Sequence, residues 1–174
     1  MNTKNNKRRR ESVAKIEKTF VELLQTKELN QITVSDICKR AELNRSTFYA
    51  NYIDIYDLAD KIREYLESEI QRLYEDELTN QFNSNDYLKL FRHIKDNKLF
   101  YKTYFKLGYD NNYKIIFYDT EQAEKYFDNK YIEYHIEFFR CGLNAIVKKW
   151  LENDCFETPE EMAGIVQSEY QGRI

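Results

Sequence analysis

The chain has 174 residues and 21.2 kDa, room for one ordinary domain or a small module joined to a medium one. Four glycines and a single proline lie far below average usage, which excludes a turn-rich all-β fold or a disordered linker protein and leaves a helical chain. The net charge of -3 hides an asymmetry: residues 1–50 carry 11 Lys and Arg against 6 Asp and Glu, a balance of +5, whereas residues 51–174 carry 16 against 24, a balance of -8. A basic head suits a polyanion and an acidic body does not.

Mean hydropathy is -0.79. No apolar run approaches the roughly 18 residues of a membrane span, and the N-terminus is rich in Asn, Lys and Arg. The expectation is a cytoplasmic chain that neither crosses a membrane nor carries an export signal. Cys38, Cys141 and Cys155 are odd in number and widely spaced, which argues against a disulfide framework and suits a reducing compartment.

In chain order, Val13, Ile16, Phe20, Leu23 and Leu24 recur at spacings of three and four and predict an amphipathic helix from about Arg9 to Thr26. Around its start, Lys7, Arg8, Arg9 and Arg10 read either as a solubilising tail or as a polyanion contact. Thr33-Val34-Ser35-Asp36 has the form of a capping box and opens a short second helix ending near Arg40. Asn44 is a candidate N-cap for a third short helix, Arg45 to Asn51. Asp54 and Asp57 cap a long fourth helix with Leu58, Ile62, Leu66, Ile70 and Leu73 on one stripe.

Two short helices joined by a tight turn form a helix-turn-helix pattern, although an ordinary αα-hairpin has the same outline. The second helix could read a major groove about 12 Å wide if its outward side chains donate hydrogen bonds, and Arg45, Ser46, Thr47, Tyr49 and Asn51 all can. Phe48 cannot, and is expected inward with Ile37 and Phe20.

Residues Ile32 to Tyr52 resemble the DNA-binding signature of TetR/AcrR-type transcriptional regulators: Thr33-Val34-Ser35-Asp36-Ile37 enters the second helix, and Ala41-Glu42-Leu43-Asn44-Arg45-Ser46-Thr47-Phe48-Tyr49 forms the recognition helix. The resemblance implies that Thr33 contacts a phosphate, that Arg45, Ser46 and Thr47 face bases or backbone, that Tyr49 packs on a phosphate, and that Lys7 to Arg10 approach the duplex. Two positions depart from the pattern. Glu42 stands where Gly is frequent, and Ile55 where a Lys often starts the fourth helix, so Tyr56 and that helix N-terminus must supply the missing contact.

Residues 82–139 hold 17 of the chain's 27 aromatics, and could either wall a ligand cavity or form ordinary core. Tyr87, Phe91, Tyr101, Tyr104, Phe105, Tyr134 and Phe138 are the candidate pocket. Further on, Ile132, Ile136, Phe139, Leu143, Ile146 and Trp150 form a heptad-like seam, followed by a capped helix from Thr158-Pro159-Glu160-Glu161 with Met162, Ile165, Val166 and Tyr170. Residues Tyr87 to Phe105, Phe139 to Glu152 and Thr158 to Ala163 are similar to the TetR subgroup associated with dihydroxyacetone kinase operons. In TetR-like proteins the last two helices pack on a twofold mate, which makes Phe139, Leu143, Ile146, Trp150, Met162 and Ile165 candidate dimer contacts.

His93 and His135 lack metal-ligand company and no glycine-rich phosphate loop is present, so neither an enzyme nor a cofactor is expected. The expectation is an all-α protein. Residues 1–55 form a three-helix helix-turn-helix DNA-binding domain, and residues 56–174 a dimerising, effector-sensing helical bundle. It would act as a homodimeric repressor of a palindromic double-stranded operator, tuned by an unknown small-molecule effector or partner protein. The alternative is a helical protein-interaction module, or a coactivator-type regulator acting through a partner protein, with weak DNA binding.

Overall fold

The computed structural model describes residues 4–80, 87–109, 128 and 130–171, and every regular element among them is helical. The chain divides into two compact units, Met1–Leu66 and Glu67–Ile174. Among the described residues no helix is long and apolar enough to cross a membrane, and no cluster of His, Cys, Asp and Glu could hold a metal ion.

In the first unit, α1 (Lys4–Leu24) begins five residues before the start expected near Arg9. Its opening turns are polar, so local bonds show them rather than burial: Lys7 pairs with Glu11 and the Ser12 hydroxyl donates to the Arg8 carbonyl. A 3-10 turn, Leu29–Gln31, leads to α2 (Val34–Ala41). The capping box forms as expected, with the Asp36 amide donating to the Thr33 hydroxyl and the Thr33 amide to the Asp36 carboxylate, each at 3.1 Å. Glu42 then adopts the left-handed region, φ 57 and ψ 45, and the Leu43 amide reaches back to the Cys38 carbonyl at 2.9 Å. The chain turns there into α3 (Arg45–Tyr49), which ends two residues earlier than its sequence outline. Asn44 occupies the N-cap position, but its carbonyl and not its side chain accepts the first amides.

Next comes α4 (Ile55–Leu73), which starts in the first unit and ends in the second. Ile16, Phe20, Val21, Leu24, Ile32, Ile37, Phe48 and Leu58 are fully or almost fully buried. Each such side chain contributes about 1.5–3 kcal/mol relative to exposure, and Phe48 ties α3 to this core. The α4 stripe is buried from Leu58 to Ile70, with Leu73 half-buried at its end.

The second unit contains α5 (Glu75–Asn80), α6 (Tyr87–Asp96), α7 (Lys98–Lys106), α8 (Ile132–Glu152) and α9 (Pro159–Gln171). There α9 packs on α6, and α8 on α7. Trp150 is buried edge-on to Phe91, with ring centroids 5.4 Å apart, and its indole N–H donates to the Glu157 carbonyl. After α8, Asp154 and Cys155 both take positive φ and the Cys155 amide closes on the Trp150 carbonyl at 2.8 Å. Pro159 opens α9 behind Thr158, whose hydroxyl accepts from the Glu161 amide. Cys38 and Cys155 are buried and Cys141 is exposed, its thiol donating to the Glu137 carboxylate at 3.3 Å.

Candidate nucleic-acid interface

The turn at Glu42 aims α3 so that one side of it enters the core and the other faces solvent. Phe48 is completely buried, with its ring 5.6 Å from those of Tyr49 and Tyr52. Arg45, Ser46 and Tyr49 are exposed, and Thr47 is half-buried. Arg45 lies back along the helix: Nη2 donates to the Tyr49 hydroxyl at 3.3 Å, and the guanidinium carbon stands 5.9 Å from the Tyr49 ring centroid. The pair presents a cation and a phenol together, one helical turn apart.

Thr33 is exposed at the start of α2. Its oxygen accepts from the Asp36 amide at 3.1 Å. Hydrogen bonds from Thr33, through its side chain first and its backbone second, together with Lys27 at 3.3 Å, hold the Asp36 carboxyl below the usual carboxylate range.

Lys7, Arg8, Arg9 and Arg10 are exposed on the opening turns of α1. Two links join α1 to the end of α3. Arg9 Nε donates to Asn51 Oδ1 at 2.8 Å, and the Tyr52 hydroxyl donates to Glu17 Oε1 at 2.9 Å. Burial raises the Glu17 carboxyl above its ordinary value while the bond from Tyr52 opposes the rise. The sequence offered no signal for either pair, since the partners stand 42 and 35 residues apart.

At the start of α4 the amides expected to meet a phosphate are already engaged. Asp54 Oδ1 accepts from the Tyr56 and Asp57 amides at 2.8 and 2.9 Å, and Asp57 Oδ2 accepts from the Ile53 amide at 2.9 Å. The Tyr56 ring remains exposed beside these two carboxylates, and Ile53 is 80% exposed.

In the second unit the structure separates the residues expected to line a pocket. Phe91, Tyr101 and Tyr104 are buried, Tyr87 and Phe105 are half-buried, and Tyr134 and Phe138 are exposed at 76% and 63%, away from any shared cavity wall. A cavity of about 10 Å³ is lined by Leu90, Ile94, Tyr101, Phe105, Leu143, Asn144 and Val147, room for a single water. Phe82, Tyr113, Phe117, Tyr118, Tyr126 and Phe127 from the same aromatic stretch lie outside the described residues, as does the side chain of Tyr170. Of the residues expected at a dimer interface, Phe139, Leu143, Trp150 and Met162 are buried inside the chain itself. Ile146 is half-buried and Ile165 is 43% exposed.

Comparison with known proteins agrees with this architecture. A solved structure titled "Dihydroxyacetone kinase operon activator DhaS" shares the fold, with a TM-score of 0.55 at 20% identity, over 94% of this chain and 96% of that one. The HTH-type dhaKLM operon transcriptional activator DhaS of Lactococcus lactis subsp. lactis (strain IL1403) is 31% identical over 102 residues, 59% of this chain. The chain thus spans about half the length of that relative, 52%. The family model described as "Transcriptional regulator C-terminal region" (TetR_C_8) matches residues 83–169. Because that match takes in half of the sequence and runs from the start of α6 into α9, the chain belongs to the TetR-type transcriptional regulators.

Proposed function

We propose that the chain is a sequence-specific regulator that binds a palindromic double-stranded operator as a homodimer in the cytoplasm. One observation carries this: α3 buries Phe48 and turns Arg45, Ser46 and Tyr49 outward, on the part of the chain whose charge balance is +5. Phosphate contacts from Lys7, Arg8, Arg10 and Thr33 would set the register, and Arg45, Ser46 and Thr47 would meet base edges. The relative's name supports activation over the repression expected from the sequence.

A surface for a second copy is available in the second unit. Tyr134, Phe138, Cys141 and Ala145 are exposed at successive turns of α8, and Ile165 is exposed on α9. An isologous contact through this stripe would give the twofold symmetry that a palindrome requires. Control would come from a small ligand or a partner protein on the same unit. A ligand would have to open the cavity beside Tyr101 from about 10 Å³ to several hundred.

Selection from random duplexes with the full chain tests the proposal. Enrichment of an inverted repeat is expected, with binding that weakens steeply as salt rises. No enrichment over the starting pool would refute sequence-specific binding. It would favour a protein-interaction module, a reading supported by the Asp54 and Asp57 carboxylates and by Glu42 at the edge of the helix-turn-helix.

A further inference from the structure

At the end of α3 one backbone bond is replaced by a side chain, while the Ala50 amide still donates to the Ser46 carbonyl at 3.0 Å. In a continued helix the Asn51 amide would donate to the Thr47 carbonyl; here it donates to Phe48 O at 2.9 Å. The Asn51 side chain supplies the replacement, with Nδ2 donating to Thr47 O at 2.8 Å. That bond fixes the orientation of the carboxamide, and its other end, Oδ1, accepts from Arg9 Nε at 2.8 Å. Asn51 is half-buried, and the neighbouring Tyr52 is anchored to Glu17 of the same helix, α1. A path of three groups therefore runs from the basic start of α1, through one carboxamide, to the backbone of Thr47 on the recognition helix.

We infer that Arg9 and Asn51 are a positioning pair that sets the recognition helix against α1, rather than one phosphate contact and one base reader. The inference rests on the DNA-binding function proposed above. It distinguishes Arg9 from Lys7, Arg8 and Arg10: those would supply charge to a duplex of any sequence, whereas Arg9 acts through geometry that only a correctly read site rewards. A lysine keeps the charge at this position but has no Nε–H in the plane of a fork to meet Oδ1.

The test is a double-mutant cycle on the full chain, using the best duplex recovered by selection and a random-sequence duplex of equal length. Arg9→Ala and Asn51→Ala are each expected to weaken the selected duplex roughly tenfold, the scale of one net hydrogen bond. The random duplex should weaken much less, and the double variant should bind no worse than either single one. Arg9→Lys should bind like Arg9→Ala, with an unchanged salt slope. A wild-type-like Arg9→Lys, or an Arg9→Ala slope shallower by about 0.9, would make Arg9 a phosphate contact and overturn the inference. Additive losses in the cycle would overturn it too.

A readout without DNA separates this inference from the wider proposal. The Arg9 Nε–H resonance of the free protein should exchange with water more slowly than those of Arg8 and Arg10, and lose that protection in Asn51→Ala. Absence of protection overturns the pair whatever the DNA result. Protection in a chain that prefers no duplex overturns the DNA-binding function, and with it the role assigned to the pair.

Discussion

Glu42 shows how one residue can carry two opposed consequences. Its left-handed conformation strains a side chain with a Cβ by about 1 kcal/mol or more, and the turn into α3 requires that conformation. The same residue places a carboxylate between the two helices that would approach a polyanion. Glu42→Gly relieves both, so we expect a chain about 1 kcal/mol more stable in thermal or chemical unfolding. It should also bind duplex DNA more tightly, with the affinity gain larger at low salt because exposed charges are screened beyond about 10 Å at 0.1 M. An unchanged melting temperature would show that the turn tolerates the glutamate without strain.

At the scale of elements, the α6–α7 corner is sensitive to pH. The His93 ring stands edge-on to Tyr101, with Nδ1 2.8 Å from the phenol oxygen. Burial pushes the Tyr101 hydroxyl far above its ordinary range, so it keeps its proton and donates to a neutral Nδ1. Burial lowers the His93 pKa below its ordinary value, against the pull of Glu69 and Asp96. A proton added at Nδ1 would remove the acceptor. The folded state therefore binds this proton less readily than the unfolded chain. The stability is whole above about pH 6.5 and is lost as pH falls from there through the lowered folded value. His93→Gln, which can still accept from Tyr101, should flatten the pH dependence of the melting temperature below neutrality; an unchanged slope would place its origin elsewhere.

What was legible in the sequence follows from range. The Thr33–Asp36 and Thr158–Glu161 caps, the Asp54 cap and the α4 stripe are local, with partners a few residues apart, and each stands where the residues placed it. The Arg9–Asn51 and Glu17–Tyr52 links join distant positions of polar residues with many other uses, and no periodicity reveals them. The α8 seam was legible as apolar but not as to what covers it, since a seven-residue spacing looks the same whether the mate is α7 of the same chain or a second molecule. The structure spends Phe139, Leu143 and Trp150 on its own core and leaves Tyr134 and Phe138 outside.

For the whole molecule, that division makes the dimer question answerable with two substitutions on one helix. Phe138→Glu alters only the exposed stripe, and is expected to convert dimer to monomer in sedimentation with helicity and melting intact. Leu143→Asp places an unpaired charge in the core, at a cost of several kcal/mol, and is expected to unfold the second unit. A Phe138→Glu chain that sediments as the wild type does would place the twofold contact elsewhere. The distribution of thiols offers the same surface to chemistry. With Cys38 and Cys155 sealed and Cys141 open on the stripe, the native chain should take up one maleimide and stop. The bond to Glu137, foremost, lifts the Cys141 pKa above that of a free thiol, so labelling should be slow at neutrality, faster as pH rises and faster in Glu137→Gln. If a second copy covers the stripe, dilution will quicken the reaction, and the unmodified protein will report its own assembly through the rate at which one sulfur is consumed.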